Sequence, residues 1–366
     1  MMTRSYDIVE WGRPLQEILR PLRQPQGTEV LVRVDACGVC HSDLHIRTGA
    51  IDMGAGRRAS FASLGVELPF TMGHEIVGVV EVAGPEASVA TGTRCVVYPW
   101  HGCGRCDVCR SGDEVNCASG AALGTRRPGG YAEHVMVPHP RYLLDYGSLP
   151  SDVAATCACS GLTAYSAWRK LPSMSEHDRV LIIGAGGLGL AALHLGRAAT
   201  SANIVVADID ATKLKGALDS GAKEVVHLGT QSDPAQTDPR LQGRFRGVID
   251  FVGSPASLQC ALGACVRGGT VVVVGLFGGS MELSTALLPM RNLSLRGSYV
   301  GSLTEMQELL GLMQRGGIPF VPTERRPLHQ ANKALDDLAA GKVYGRVMLA
   351  PRAASDPAQA TVPATA

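Results

Sequence analysis

The sequence predicts a two-domain α/β protein, with a mainly-β domain followed by a doubly wound parallel sheet. The chain has 366 residues, which is more than one compact core usually holds. Its first part consists of short β-type segments broken by Gly and Pro, as in residues 29–34 and 76–82. From Val180 onward, short apolar runs alternate with helical patterns, which indicates parallel strands joined by crossover helices.

Charge and hydropathy exclude several classes of function. Lys plus Arg, 34, against Asp plus Glu, 33, leaves a formal charge of +1, so nucleic acid is not expected as a partner. No apolar run approaches the roughly 20 residues that cross a bilayer, and the first residues lack the apolar core of a signal peptide. We therefore expect a cytoplasmic protein that contacts no membrane.

Within the first part, residues 51–70 stand out as long and irregular. Gly54, Gly56 and Gly65 interrupt the segment, and Arg57 and Arg58 lie between them. The segment is too long for a hairpin turn, which predicts a surface loop with a short helix.

The second part has the pattern of a nucleotide-binding sheet. Residues 180–183 form a continuous apolar run, as a strand buried on both faces requires. Further strands are predicted at 204–207, 248–251 and 271–274. We place this domain at 161–302, after a first domain at 1–160. Residues 303–349 are expected to return to the first domain, and the Ala/Pro/Thr-rich residues 350–366 are expected to form a disordered tail.

A glycine-rich motif follows the first of these strands. Its pattern is G-x-G-x-x-G and its residues are Gly184, Ala185, Gly186, Gly187, Leu188 and Gly189. Such glycines let the backbone approach a pyrophosphate at a helix N-terminus, although a tight turn alone would also use them. Asp208 ends the next strand 19 residues after Gly189, where a carboxylate binds the ribose hydroxyls of NAD and repels the 2′-phosphate of NADP. Lys213 could also reach the ribose, or be solvated.

Four cysteines lie on one short loop, within a lobe of about residues 95–120. They are Cys103, Cys106, Cys109 and Cys117. Four thiolates can close around a tetrahedral ion and leave no open position, which predicts a structural zinc site. An iron–sulfur cluster is the alternative occupant.

A second set of metal-ligating residue types is dispersed along the chain. Cys40, His74 and Cys159 would give two thiolates and one imidazole, with an open fourth position as in a catalytic zinc site. Spacing alone does not assign them, because lone histidines are more often satisfied polar residues.

Together these motifs resemble the zinc-dependent alcohol dehydrogenases of the medium-chain dehydrogenase/reductase (MDR) family. The resemblance runs from Tyr6 to Leu349 and includes the sequence Gly-His-Glu at 73–75 and the Gly-Lys-x-x-x-Arg at 341–346. It implies a GroES-like catalytic domain, a Rossmann NAD-binding domain and a short C-terminal return. It also implies NAD and two zinc ions per subunit.

The resemblance also implies roles for individual residues. The catalytic zinc ligands are Cys40, His74 and Cys159, since the family pattern selects Cys159 over Cys157. Further roles are expected for Asp43 (orienting His74), Glu75 (approaching the metal), Ser42 and His45 (proton relay), His41 and Arg346 (cofactor phosphates), Leu276 (cofactor and pocket), and Tyr98, Trp100 and Phe277 (pocket).

The expected reaction is the reversible oxidation of a primary or secondary alcohol to an aldehyde or ketone. The chain is similar to the group described as 6-hydroxyhexanoate dehydrogenase-like and to hydroxy-cyclohexenyl acyl-CoA dehydrogenases. The expected substrates are therefore an ω-hydroxy acid, a cyclic hydroxy compound or a hydroxyacyl-CoA. Arg57 and Arg58 would meet the anionic end of such a substrate, or be solvated. A homotetramer is expected, or a homodimer. A zinc-free reductase and a non-catalytic NAD-binding protein of the same fold are the rival interpretations.

Overall fold

The computed structural model describes residues 2–229 and 238–351. Their strands form two large sheets, one for each domain, and the predicted α/β fold class is confirmed. The tail predicted from residue 350 lies outside the described residues except for Ala350, which ends a strand, and Pro351. Among the described residues, no helix has both the length and the apolar character needed to cross a bilayer.

The first domain is mainly β, with a few short helices at its edges. Its strands are β1 (Met2–Ile8), β2 (Gln16–Pro21), β3 (Val30–Gly38), β4 (Ala50–Asp52), β5 (Arg58–Ser60), β6 (Phe70–Thr71), β7 (Glu75–Ala83), β8 (Arg94–Val97), β9 (His134–Val137) and β10 (Leu143–Leu144). Its helices are α1 (His41–Thr48), α2 (Asp107–Arg110) and α3 (Ser151–Thr156), with 3₁₀ turns at Ala62–Leu64, Glu114–Asn116 and Pro140–Tyr142. One sheet has the order β2-β1-β6.

The main sheet of this domain positions the site. Buried valines such as Val30, Val32 and Val34 make β3 a central strand, and β7 pairs with it antiparallel. The register places Gly38 of β3 opposite Glu75 of β7. The residues just after β3 and just before β7 therefore meet at one end of the sheet.

The second domain is a six-stranded parallel sheet with helices on its faces. Its elements are β11 (Arg179–Ile183), α5 (Gly187–Ala199), β12 (Asn203–Asp208), α6 (Ala211–Asp219), β13 (Glu224–His227), β14 (Phe245–Asp250), α7 (Pro255–Ala264), β15 (Cys265–Val273), α8 (Leu287–Arg291) and β16 (Ser294–Gly297). The strand order is β13-β12-β11-β14-β15-β16, so the direction of winding reverses beside β11. Ligands bind at such a reversal, outside the carboxyl ends of the strands.

Helical segments and a chain return connect the two domains. α3 continues through a π-helical turn at Cys157–Gly161 into α4 (Leu162–Arg169), and α9 (Leu303–Gln314) packs against this segment. After α9 the chain forms β17 (Thr323–Pro327), a 3₁₀ turn at Leu328–Gln330, α10 (Ala331–Ala339) and β18 (Arg346–Ala350). β18 pairs with β3 of the first domain, with Leu349 opposite Cys37.

The prediction of an irregular loop over 51–70 is wrong for its first half. β4 and β5 form an antiparallel hairpin with Asp52 opposite Arg58, followed by the 3₁₀ turn. The turn is possible because Gly54 and Gly56 adopt left-handed conformations, with φ of 77° and 74°. The irregularity of the segment as a whole conceals the hairpin, because only residues 50–60 form it.

The close packing of α5 on β11 requires glycine at position 189. A Cβ atom at Gly189 would lie 1.9 Å from the carbonyl oxygen of Gly184, so Gly189→Ala must push α5 away from β11. We expect the free energy of unfolding to fall by about 3 kcal/mol, measured by urea denaturation.

Gly186→Ala is the matched control in the same motif. A Cβ atom there meets nothing within 4 Å, so stability should change by no more than about 1 kcal/mol. Equal losses in the two variants would contradict the close packing of α5 on β11.

Candidate active site

Three buried side chains from different parts of the chain meet at the end of the main sheet. Cys40 precedes α1, His74 precedes β7, and Cys159 lies on the π-helical turn. Their ligand atoms lie within 4.8 Å of one another, and the two sulfur atoms are 3.9 Å apart. Cys157 is not in this group, and its thiol donates to the carbonyl oxygen of Val153. The structure therefore brings together the three residues that the sequence singled out.

The chemistry of this trio fits a metal ion. Neither ring nitrogen of the buried His74 forms a hydrogen bond, and because an Asp43 oxygen lies near Nδ1, the Nε2 atom is left for an ion. The neighbouring thiol of Cys159, with His74 beside it, holds the pKa of the Cys40 thiol well below its usual value. A thiolate next to an unpartnered imidazole is a suitable donor set for zinc, and three ligands leave one position open.

The buried carboxylate of Asp43 contacts both the Cys40 loop and His74. Asp43 Oδ2 accepts hydrogen bonds from the Cys40 backbone N–H at 2.8 Å and from the Tyr131 hydroxyl at 2.9 Å. Its other oxygen lies 3.5 Å from His74 Nδ1. Burial, together with the charge of Asp43, raises the pKa of Tyr131 well above its ordinary value, so the phenol stays protonated and donates. Asp43 thus lies where it can orient both His74 and the loop of Cys40.

A buried ion pair lies next to the trio. The guanidinium of Arg346, at the start of β18, contacts the carboxylate of Glu75, and both side chains are almost fully buried. Glu75 Oε1 also accepts from the Ser160 backbone N–H at 3.2 Å. The stem of Arg346 packs against Gly187, where a Cβ atom would lie 2.9 Å from Arg346 Cδ. Arg346 therefore connects the metal ligands with the glycine-rich turn.

The first helix presents three further predicted residues towards this end of the sheet. Ser42 Oγ lies 3.8 Å from Cys40 Sγ, and both Ser42 and His45 are partly buried. Burial lowers the pKa of His45 below its ordinary value of 6.5, so the imidazole is neutral at pH 7. His41 is exposed at the first position of α1.

Aromatic rings cover one side of the metal ligands. The Trp100 ring lies 5.3 Å from the His74 ring, and its Nε1 donates to the Ala158 carbonyl at 2.9 Å. Tyr299, which follows β16 in the second domain, meets Trp100 edge-on at 5.7 Å and is 54% exposed. Tyr98 differs from the predicted pocket wall, because it is fully buried and donates to the Gly301 carbonyl. Its hydroxyl thus anchors the segment after β16 that carries Tyr299.

The other predicted pocket residues lie on the loop after β15. Leu276 is 43% exposed and Phe277 is 71% exposed. The Phe277 backbone N–H donates to the Val252 carbonyl at 3.1 Å, which fixes this loop to the end of β14.

The glycine-rich turn forms a cradle at the carboxyl edge of the parallel sheet. Gly184 has a φ of 98°. A Cβ atom at Gly186 would meet no other atom within 4 Å, so the space beside this residue is open. The Asp208 carboxylate accepts hydrogen bonds from the Ala185 N–H at 2.6 Å and from the Asp210 N–H at 2.9 Å. Lys213 is partly buried in the first turn of α6. An open cradle at the N-terminus of α5, bordered by a carboxylate, fits a dinucleotide such as NAD.

The four cysteines of the lobe converge as predicted. The ligand atoms of Cys103, Cys106, Cys109 and Cys117 lie within 4.8 Å of one another. Hydrogen bonds from the backbone N–H groups of Arg105 and Cys106 lower the pKa of the Cys103 thiol to about 6. The set fits a closed tetrahedral zinc site.

Comparison with known proteins assigns the family. Residues 26–146 match the alcohol dehydrogenase GroES-like domain, and residues 187–315 match the zinc-binding dehydrogenase family. The NAD-dependent alcohol dehydrogenase of Sulfurisphaera tokodaii is 35% identical, and the alignment covers 95% of this chain and 100% of that relative. The chain belongs to the zinc-containing MDR alcohol dehydrogenases.

Further alcohol dehydrogenases are similar to this chain over nearly its whole length. That of Saccharolobus solfataricus is 36% identical over 95% of this chain and 100% of its own length. The solved alcohol dehydrogenase of Aeropyrum pernix has a TM-score of 0.81 at 30% identity, and the match covers 95% of this chain and 100% of that one. The protein is an NAD-dependent alcohol dehydrogenase, and its cofactors are NAD and zinc.

Sequence reasoning missed two residues of the site in this alcohol dehydrogenase. Tyr131 is distant in sequence from Asp43, and nothing local reveals that its hydroxyl reaches the carboxylate. Tyr299 carries a weak signal, since it is an aromatic residue just past the carboxyl end of a parallel strand. Its neighbour Val300 is buried with a φ of 39°, an unusual conformation for a β-branched residue. Such strain occurs at functional sites.

The four-cysteine lobe makes a prediction about metal content and stability. Cys106→Ser should lower the zinc content from two ions to about one per subunit, measured by atomic emission. The free energy of unfolding should fall by about 4 kcal/mol, because a structural zinc contributes directly to folding.

Cys260→Ser is the control, since Cys260 belongs to neither metal-ligand group. It should keep both ions and nearly all stability. Full zinc content in the Cys106 variant would contradict the structural site.

Proposed function

We propose that Cys40, His74 and Cys159 hold the catalytic zinc and that Ser42 and His45 carry the alcohol proton away from it. The observation that supports this most directly is the buried imidazole of His74, which lacks a hydrogen-bond partner beside two thiols. When bound, zinc supplies a Lewis acid for an alcohol oxygen and NAD supplies the hydride acceptor.

The remaining steps belong to side chains of this chain. Ser42 and His45 are three residues apart on α1, so they lie on one face of the helix. In the proposed relay, the Ser42 hydroxyl accepts the proton of the alcohol as its own proton passes on towards the neutral His45 imidazole, nearer solvent. Asp43 would keep His74 oriented, and Glu75 would be the acid able to approach the metal.

The cofactor roles are part of the same proposal. Gly184, Gly186, Gly187, Leu188 and Gly189 would hold the pyrophosphate, with His41 and Arg346 near its phosphates and Leu276 against the nicotinamide. Asp208 would accept from the ribose hydroxyls, with Lys213 beside it. The open space at Gly186 and the position of Asp208 at the same turn support this arrangement.

The preferred substrate is proposed to be an apolar alcohol of moderate size. Trp100 and Tyr299 supply an aromatic surface next to His74, which supports this size and polarity. Leu276 and Phe277 would complete the wall from the cofactor domain.

A second candidate is an alcohol with an anionic far end, such as an ω-hydroxy acid of the 6-hydroxyhexanoate type or a hydroxyacyl-CoA. Arg57 and Arg58 are exposed on the 50–60 hairpin, and within residues 2–229 and 238–351 neither forms an ion pair. Two free guanidinium groups on one hairpin favour a carboxylate or phosphate partner.

Assembly and location are also proposed. We expect a homotetramer or a homodimer, and β16 supports this because it is the last strand of its sheet among the described residues. A cytoplasmic location is supported by the eleven cysteines, all of them described and none of them in a disulfide.

The relay predicts a specific loss of rate. Ser42→Ala should lower kcat for alcohol oxidation by about 100-fold with both zinc ions retained, measured as NADH formation. Since burial lowers the His45 pKa, activity should fall as pH drops through a value below 6.5, where the imidazole becomes protonated.

His45→Gln should remove that acidic limb, because glutamine does not titrate. Wild-type kcat in Ser42→Ala, or an unchanged pH profile in His45→Gln, would disprove the relay.

The anionic candidate predicts a difference between two substrates of equal length. The double variant Arg57→Ala, Arg58→Ala should raise KM for 6-hydroxyhexanoate about fivefold, as expected for exposed ion pairs. KM for 1-hexanol, the uncharged control, should not change. Equal effects on both substrates would count against recognition of the carboxylate.

A further inference from the structure

We propose that the 50–60 hairpin and the 275–280 loop form a clasp between the two domains, and that Gly54 and Gly278 are positioning residues for alcohol oxidation. We call this contact the glycine clasp. It connects the helix that carries Ser42 and His45 with the loop that carries Leu276 and Phe277. The inference rests on the proposed function for its kinetic consequences, and its geometry stands independently.

The clasp is a contact of backbone against backbone. A Cβ atom at Gly54 would lie 2.3 Å from the carbonyl oxygen of Gly279 and 2.9 Å from Ser280 Cβ. A Cβ atom at Gly278 would lie 2.6 Å from the carbonyl oxygen of Asp52. These are distances that real side chains do not tolerate, so the contact requires glycine from both domains.

Left-handed conformations make the contact still more specific for glycine. Gly54, Gly278 and Gly279 have φ values of 77°, 91° and 98°. Residues with a Cβ atom rarely adopt these values. Both the path of the backbone and the close approach therefore select glycine.

On the catalytic side, hydrogen bonds connect the clasp to the end of α1. Within the hairpin, the Met53 N–H donates to the Arg57 carbonyl at 2.9 Å and Asp52 Oδ1 accepts from the Gly54 N–H at 2.8 Å. At its base, the Gly49 N–H donates to the His45 carbonyl, which ends α1. That helix begins directly after Cys40. A shift of the hairpin would thus act on the helix that carries the relay.

On the cofactor side, the clasp is fixed to the carboxyl ends of two parallel strands. The Gly275 N–H donates to the Asp250 carbonyl at 3.1 Å, and the Phe277 N–H donates to the Val252 carbonyl. A Cβ atom at Gly279 would lie 2.9 Å from Pro255 Cγ, at the start of α7. The loop cannot yield freely when the hairpin presses on it, because it is held on both sides.

For the reaction, the clasp fixes the distance between the two domains. Hydride transfer depends on the distance between an alcohol held by one domain and a nicotinamide held by the other. The glycine clasp is the place where the hairpin after α1 contacts the cofactor domain loop through main-chain atoms. A side chain inserted there should hold the domains apart at the cleft while leaving each domain folded.

The test compares Gly54→Ala with Gly56→Ala. Both glycines lie in the same turn with nearly equal φ, but a Cβ atom at Gly56 meets nothing within 4 Å. Gly54→Ala should lower kcat/KM for 1-hexanol by about 10- to 100-fold, as a misplacement near 1 Å does. The deuterium isotope effect on kcat should be larger for Gly54→Ala than for the wild type. The affinity of this variant for NADH, measured by fluorescence, should be lower. Gly56→Ala should behave like the wild type in all three measurements.

Gly278→Ala distinguishes loss of the clasp from a folding defect of the hairpin. It inserts its side chain into the same contact from the other domain, so it should reproduce the changes of Gly54→Ala at wild-type zinc content. Equal kinetics and NADH affinity in Gly54→Ala and Gly56→Ala would overturn the clasp. If the wild type oxidises no alcohol, the proposed function fails, but the NADH affinities of the variants still decide the clasp.

Discussion

The antiparallel register of β3 and β7 is the constraint on which the active site depends. Placing Gly38 opposite Glu75 brings Cys40 and His74 to one end of the sheet, and β18 joins β3 at the same end. A slip of one residue would turn the alternate side chains of these strands to the opposite face. The register is secured by the valines that β3 and β7 bury in the core, so the packing of the domain also fixes the geometry of its metal ligands.

Buried charge is organised around this register. The carboxylates of Asp43 and Glu75 are both completely buried, and each has partners supplied by a distant part of the chain. Tyr131 donates to Asp43, and Arg346 pairs with Glu75. Burial of a carboxylate is unfavourable unless such partners are present, so these contacts select the native arrangement over others. They also connect the C-terminal return, which carries Arg346, to the catalytic domain.

Local motifs carried most of what the sequence could predict. The four-cysteine loop and the glycine-rich turn are short in sequence, and their spacing alone determines which side chains meet. The trio of Cys40, His74 and Cys159 needed the family resemblance, because strand register and a π-helical turn bring it together. Tyr131 and Tyr299 were missed, since each acts through a contact between distant segments. The hairpin at 50–60 was missed because its turn depends on left-handed glycines within a longer segment.

The most direct test of the account measures NADH formation and zinc content together, in the wild type and in Cys40→Ala. The wild type should oxidise 1-hexanol and hold two zinc ions per subunit. The variant should hold about one ion and lose detectable turnover, because the Lewis acid is gone. Its unfolding should remain cooperative, since the four-cysteine site is intact. Turnover at the wild-type rate by a variant with one ion would contradict catalysis at Cys40, His74 and Cys159.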